Sequence, residues 1–316
     1  MFGTHGVSSA DTHARAEWEL LQSAKFVTLF RMTEIAEQAE LVDSLPLGPE
    51  SLVWKYFGDN RMYLIGPRPA VLQNMLAQLG QGVLDHSVFF ADTSARIKRS
   101  LPPIFRTVYG TDDANTGTQV RDFHREIKGD MPDGSRYHAL DPETYYWAHA
   151  TFVEQVLYFA DTFVKRLSDA EKEQIYLESK TWYRRYGVSD RPMPATYAEF
   201  EEYWDRMMNE VAVPHKTARY GVGYVTKGFP APKGVNPAVW RAISIVFNPV
   251  AAFLTTGGLP PRARDLLELP WTDRQERAYQ LFAAAWRSKP VNWMWDRLPM
   301  SLRYNTFAQK GYARAR

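Results

Sequence analysis

A long segment with a clear helical pattern dominates the sequence between residues 141 and 167. Asp141 is a typical N-cap residue, Pro142 suits the first helical position, and Glu143 favours the first turn. The segment predicts one buried stripe, formed by Tyr145, Ala148, His149, Phe152, Val156, Phe159 and Phe163. A helix of this length that turns aromatic residues and a histidine inward indicates a helical core.

The remaining sequence also reads as helices separated by Pro, Gly and Asp. Residues 46–59 predict a loop, residues 61–65 a short extended piece, and Pro102-Pro103 should stop or kink a helix at 92–101. Further helices are predicted at 14–42, 69–82, 117–128, 169–186, 196–210, 237–254, 261–268 and 273–287. Alternating strand patterns are scarce, so the expected fold is all-α. We expect a flexible tail at 1–20 and a single helical-bundle domain at 21–316.

The absence of cysteine limits the chemistry of the chain. It excludes disulfides, thiolate nucleophiles, iron–sulfur clusters, thiolate-ligated haem and zinc sites built on sulfur. The formal net charge of +2 is too small to argue for nucleic acid or an anionic membrane as a partner, and the basic residues are dispersed. A metal would therefore have to be bound by His, Asp, Glu, Tyr or Met.

No segment of the sequence predicts export or stable membrane insertion. The N-terminus lacks the apolar core of a signal peptide. The longest apolar stretch, residues 242–254, is interrupted by Ser244, Asn248 and Pro249 and is too short to span a bilayer. These features predict a cytoplasmic protein.

Two histidines lie on predicted inward faces, His149 and His124. Around the second, Val120, Phe123, His124 and Ile127 share one face of a short charged helix, and Gly129 is a plausible stop. A buried histidine is either satisfied by a neighbour or bound to a metal, and both roles use the neutral ring. An iron site of two histidines and one carboxylate also stays open, although Glu-x-x-His and His-Glu-x-x-His are absent.

Three consecutive stretches carry a resemblance to a known family. They are Arg121-x-x-His124-x-x-Ile127-x-Gly129, then Pro132-Asp-Gly-x-x-Tyr137-x-Ala139-x-Asp141-Pro142, and Trp147-x-His149-Ala-Thr151. In order and spacing they resemble the catalytic domain shared by latex-clearing rubber oxygenases and the MpaB-type oxygenases of fungal meroterpenoid biosynthesis. Looser similarity, including Asp85-His86-Ser87, extends it over residues 60–310.

The resemblance implies a globin-like helical core around a haem b pocket. The histidine of the Arg-x-x-His segment is the proximal iron ligand in rubber oxygenases, and this role carries over to His124. His149 then lines the distal cavity, orients bound oxygen, bonds a neighbour, or replaces His124 as the axial ligand. The high content of aromatic residues (17 Tyr, 17 Phe and 10 Trp) suits an apolar cofactor pocket.

Four arginines are candidates for pairing with the haem propionates, because guanidinium binds carboxylate through two hydrogen bonds. They are Arg96, Arg99, Arg121 and Arg303. Arg99 and Ser100 stand where rubber oxygenases carry a lysine and a threonine on the distal side, so Arg99 is also a candidate catalytic residue. A solvated basic face is the alternative interpretation of Arg96 and Arg99.

The expected function is a haem b-dependent oxygenase that uses O2 or peroxide on a mostly apolar small molecule. Its reaction would be C=C cleavage, hydroxylation or dehydrogenation. Two alternatives belong to other classes: a haem-binding sensor or carrier without turnover, and a metal-free helical binding protein.

Overall fold

The computed structural model describes residues 43–87, 93–111, 114–229, 231 and 234–316, with side chains in the 93–111 segment from Arg99 onward. The predicted tail at 1–20, the predicted helix at 14–42 and the predicted domain start at residue 21 lie outside these residues. The chain from Ser44 to Arg316 forms one compact unit. Its first helices are α1 (Leu52–Phe57), α2 (Arg68–Gln73), α3 (Ala77–His86), α4 (Thr93–Tyr109) and α5 (Thr116–Asp122).

A two-stranded antiparallel hairpin interrupts the helices. Its strands are β1 (Lys128–Asp130) and β2 (Arg136–His138), with Gly129 opposite Tyr137. The next helices are α6 (Pro142–Phe159), α7 (Asp169–Arg184), α8 (Tyr197–Arg206), α9 (Lys216–Val222) and α10 (Tyr224–Lys227). The last are α11 (Pro237–Gly258), α12 (Pro261–Leu266), α13 (Asp273–Arg287), α14 (Lys289–Arg297), α15 (Met300–Arg303) and α16 (Thr306–Arg314). The expected all-α class is confirmed.

The central helix of the fold is α6. The Asp141 carboxylate accepts the backbone N–H groups of Glu143 and Thr144, as its N-cap position predicts. The helix is buried on several sides, by residues such as Tyr146, Trp147, Ala150 and Val153. A helix that is apolar almost all round belongs in the middle of a protein, so α1, α2 and α7 all pack against α6.

Three local predictions are wrong. Residues 52–57 form α1 inside the predicted loop, and Asn60–Ile65 is a 3-10 helix rather than an extended piece. The helix that begins at Thr93 is not stopped at Pro102-Pro103 but continues to Tyr109, and the alternative of a kink at these prolines stays a prediction. The apolar stretch of residues 242–254 belongs to the longer helix α11.

Candidate functional site

His124 lies in a turn that follows α5. The helix ends at Asp122, and the Nδ1 atom of His124 lies 2.7 Å from the carbonyl oxygen of Val120. Because a carbonyl oxygen only accepts, Nδ1 carries the proton, and the lone pair of the neutral ring is on Nε2. A backbone carbonyl that fixes the ring in this way is typical of metal-ligating histidines.

The early end of α5 also changes the neighbours of His124. The side chain of Phe123 is 67% exposed, so the predicted inward face that included it is wrong. The helical period no longer applies after Asp122, because the chain has already turned. Gly129 is not a helix stop either. It lies in β1, where an added Cβ would come within 2.8 Å of the Tyr137 hydroxyl.

Tyr145, in the first turn of α6, packs against the ring of His124. The two ring centroids are 5.8 Å apart and the planes meet at 85°. The Tyr145 hydroxyl is buried and has no hydrogen-bond partner in the structure. Its burial raises the pKa of the Tyr145 phenol well above its ordinary value, so the hydroxyl stays protonated. A buried donor without a partner beside a candidate iron ligand is a reason to expect a bound group there.

The hairpin after His124 brings two of the matching stretches together. The Tyr137 hydroxyl on β2 donates to the Asp85 carboxylate at 2.7 Å. The Nε2 atom of His86 lies 3.0 Å from the Lys128 carbonyl on β1. Asp85 and His86 at the end of α3 therefore hold the hairpin, and the hairpin in turn positions the segment that carries His124.

His149 is a core residue of the interface between α6 and α7. Its Nε2 atom donates to the Ser179 carbonyl at 3.1 Å, and its ring is 3% exposed. The rings of Trp182 and Tyr183 lie 4.9 and 5.0 Å from it, centroid to centroid. Burial lowers the pKa of His149 to about 3, so the ring is neutral at physiological pH. The buried Nδ1 atom has no hydrogen-bond partner among the residues that the structure describes.

A tyrosine cluster, defined here as Tyr145, Tyr183 and Tyr186, lies between the two histidines. Tyr183 is 6.2 Å from the Tyr145 ring, and it also contacts His149. Tyr186 is 5.5 Å from Tyr145 and 6.1 Å from His149. His124 and His149 thus contact opposite ends of one aromatic cluster.

The four candidate arginines are dispersed. Arg99 is exposed on α4, which packs against α5, while the side chain of Arg96 lies outside the described residues. Arg121 pairs with the Asp122 carboxylate at 2.8 Å. Arg303 pairs with Asp296 at 3.7 Å in the C-terminal segment, and its buried Nε atom has no hydrogen-bond partner in the described part of the chain.

A cleft of 530 Å³ lies elsewhere, against α6, α7 and α8. Its lining includes Tyr158, Tyr197, Trp204, Glu154 and Asp205, and neither His124 nor His149. Within the part of the chain that the structure describes, no group of three or more His, Asp and Glu side chains could hold a metal ion. The triad of two histidines and a carboxylate is therefore not assembled there.

Comparison with known proteins shows the family to which the chain belongs. A sequence model described as ER-bound oxygenase mpaB/B′/rubber oxygenase, catalytic domain, matches residues 54–288. The match covers most of the chain and includes His124, the hairpin, the tyrosine cluster and His149. The chain therefore belongs to this family of oxygenase catalytic domains.

Similar curated proteins add no activity of their own. An uncharacterized protein of Mycobacterium bovis and one of Mycobacterium tuberculosis are each 24% identical over 157 residues, which is 50% of this chain. The aligned part spans 58% of the length of each relative. No solved structure matches the chain.

Proposed function

We propose that this chain is a haem b-dependent oxygenase that acts on a mostly apolar small molecule, with His124 as the protein ligand to iron. The observation that supports this most directly is the hydrogen bond from His124 Nδ1–H to the Val120 carbonyl. It leaves the Nε2 lone pair in the form that an iron ligand requires. The oxygenase family supplies the reaction class.

Haem suits this site better than a metal held by side chains alone. The porphyrin provides four nitrogen ligands, so a single histidine from the protein suffices, and the described residues contain no larger ligand group. The partnerless hydroxyl of Tyr145 beside His124 is consistent with a cofactor edge or a polar atom of a ligand nearby. When bound, haem supplies iron for chemistry with O2 or peroxide.

The residues around His124 would fix and tune this ligand. The Val120 carbonyl sets the orientation of the ring, and Tyr145 limits its rotation by edge-on packing. Arg121 lies on α5 itself, and Arg96 and Arg99 belong to α4, the helix that packs against α5, so all three are candidates for propionate pairing. Arg121 would have to exchange its pairing with Asp122 for a propionate.

An absorption spectrum of the protein titrated with haemin tests the proposal. We expect stoichiometric binding with a histidine-ligated Soret band, and loss of that band in His124→Ala. His215→Ala is the matched control, because His215 accepts the Thr217 N–H at the start of α9 and should not affect the spectrum. An unchanged spectrum in His124→Ala would show that a residue other than His124 binds the iron.

Product analysis separates the three candidate reactions. With an unsaturated apolar substrate and O2 or peroxide, C=C cleavage yields two carbonyl fragments, hydroxylation adds one oxygen atom, and dehydrogenation removes two hydrogen atoms. Mass spectrometry distinguishes these outcomes. If the protein binds haem but forms none of these products, a haem-binding sensor or carrier is favoured. If it does not bind haem, a metal-free binding protein is favoured.

A further inference from the structure

The longest helix of the described chain presents apolar side chains to the outside. Along α11, six large apolar residues are exposed, with Ile245 at 73% and Val246 at 68%. We call this set the α11 apolar face: Val239, Ile243, Ile245, Val246, Phe247 and Val250. A continuous apolar surface of this kind on a folded protein usually marks an interaction site.

The polarity of α11 is reversed relative to a helix on a water-facing surface. The Asn248 amide points to the protein and accepts the Phe229 backbone N–H at 3.2 Å. The Trp240 indole N–H, on the same side, donates to the Phe229 carbonyl at 3.1 Å. Phe247 packs beside Trp240 and Phe229 on this side, while Val239, Ile243, Val246 and Val250 share an exposed stripe at helical spacing. The environment of that stripe is therefore expected to be apolar.

The end of α11 is buried in the fold, and this limits whether the helix can cross a membrane or only lie on its surface. By length and composition the helix could cross a membrane, since it has 22 residues and contains an 18-residue stretch with a mean hydropathy of 1.5. Its last turn is buried, however, and an added Cβ at Gly257 would come within 2.3 Å of the Tyr279 ring. Arg68 also donates to the Gly258 carbonyl. Because Trp240 and Asn248 also bond to Phe229, the helix is held along its length, and we expect it to meet an apolar phase with its side rather than to cross a bilayer.

The charged residues in the sequence around α11 indicate which kind of apolar surface the helix would bind. Residues 211–264 contain no Asp or Glu, although the whole chain carries 36 acidic residues. The same segment contains seven basic residues, namely Lys216, Arg219, Lys227, Lys233, Arg241, Arg262 and Arg264. Arg219 and Arg264 pair with Glu268 and Glu276, whereas Arg241 is exposed on α11 and Lys227 ends the helix α10 that packs against it. An apolar stripe with these cations beside it matches anionic lipid headgroups above an acyl layer.

We propose that the α11 apolar face docks this protein on the surface of an anionic lipid bilayer. Val246 and its apolar neighbours enter the boundary between headgroups and acyl chains, and Lys227 and Arg241 stay at the level of the headgroups. The proposal stands on α11 and its charge alone, and it requires neither haem nor catalysis. It would also bring the protein to the phase in which apolar molecules dissolve.

The lack of cysteine allows a direct test on the full-length chain. A single cysteine introduced as Val246→Cys is labelled with the environment-sensitive dye NBD, and Val213→Cys, outside α11, is the matched control. We expect vesicles of phosphatidylcholine with phosphatidylglycerol to shift the emission of the label at position 246 to the blue, with little change at position 213. Phosphatidylcholine alone or added salt should weaken the response, because the attraction to anionic lipid is screened.

Vesicle sedimentation gives the second measurement. Val246→Glu should lower the partition coefficient by about tenfold or more, while Val213→Glu should leave it nearly unchanged. The proposal is overturned if the wild type does not sediment with anionic vesicles, or if Val246→Glu sediments equally well. It is also overturned if the label at 246 is already shielded without lipid. If the label is shielded without lipid and the shielding grows with protein concentration, a second copy of the chain covers α11. If the shielding is independent of protein concentration, another part of the same chain covers it.

Discussion

The ring of His149 makes a buried hydrogen bond and is enclosed by aromatic side chains. Its Nε2–H is committed to the Ser179 carbonyl, and the rings of Tyr146, Trp182, Tyr183 and Tyr186 surround it. His124, in contrast, is half-buried in a turn. A residue that must meet a cofactor needs an accessible side, which makes the turn the better place for an iron ligand.

The substitution His149→Phe tests whether His149 contributes to catalysis or to the core. Phenylalanine keeps the aromatic packing but removes the donor to Ser179, so we expect a loss of about 1–3 kcal/mol in unfolding free energy. Haem content and the spectral response to cyanide should stay as in the wild type. A normal thermal melt with altered cyanide affinity and lower turnover would instead support the catalytic role predicted for His149.

Acid should destabilise the protein through His149. Burial lowers the pKa of His149 from its ordinary 6.5 to about 3 in the folded state. Between these values the unfolded chain binds a proton that the folded chain excludes. The unfolding free energy therefore falls as the pH drops below that ordinary value, by up to about 1.4 kcal/mol per pH unit.

The same variant isolates this contribution, because His149→Phe has no proton to bind at that position. Denaturant unfolding at neutral pH and at about pH 5 should show a larger acid-induced loss in the wild type than in His149→Phe. Equal losses in the two proteins would mean that His149 is protonated in the folded state as readily as in the unfolded one.

The burial of a single site residue was predictable only where the local sequence pattern determines it. The burial of His149 follows from helical spacing, and that prediction is confirmed. The tyrosine cluster does not follow from any window, because Tyr183 and Tyr186 come from a segment far along the chain from Tyr145. The exposure of Phe123 depends on where α5 ends, and helix ends are weakly encoded.

At the scale of elements, α1 shows why a helix can be missed. Its six residues are too few to form a stable helix alone. The Glu178 carboxylate on α7 accepts the N–H groups of Leu52 and Val53 at 3.1 and 2.7 Å, and Ser51 accepts that of Trp54. The start of α1 is therefore stabilised largely by a side chain that is distant in sequence. The local pattern of residues 46–59 alone predicts a loop.

The substitution Glu178→Gln tests this dependence. The amide keeps the shape of the side chain but loses the negative charge at the helix start and one of the two acceptors. We expect a loss of about 1–2 kcal/mol in unfolding free energy. Glu202→Gln, on the exposed side of α8, is the matched control and should change stability by less than about 0.5 kcal/mol. Equal effects of the two substitutions would show that α1 does not depend on Glu178.

At the scale of the whole molecule, one buried arginine connects elements that are distant in sequence. Arg68 on α2 pairs with Glu154 on α6, its Nε lying 2.9 Å from the carboxylate, and it donates to the Gly258 carbonyl at the end of α11. Its guanidinium also lies 4.0 Å from the centre of the Tyr158 ring. Helical patterns predict the all-α class, but they cannot predict which polar residue connects the helices.

The pair of Arg68 and Glu154 should have an asymmetric effect on stability. Arg68→Met leaves the mostly buried Glu154 carboxylate without its partner, so we expect a loss of about 3–5 kcal/mol in unfolding free energy. The double variant Arg68→Met/Glu154→Leu removes both charges and should be more stable than the single variant. Arg166→Met, which breaks a surface pair with Asp161, is the control and should cost less than about 1 kcal/mol. If the double variant is no more stable than Arg68→Met, the hydrogen bond to Gly258 rather than the charge pair is what holds the end of α11 in the core.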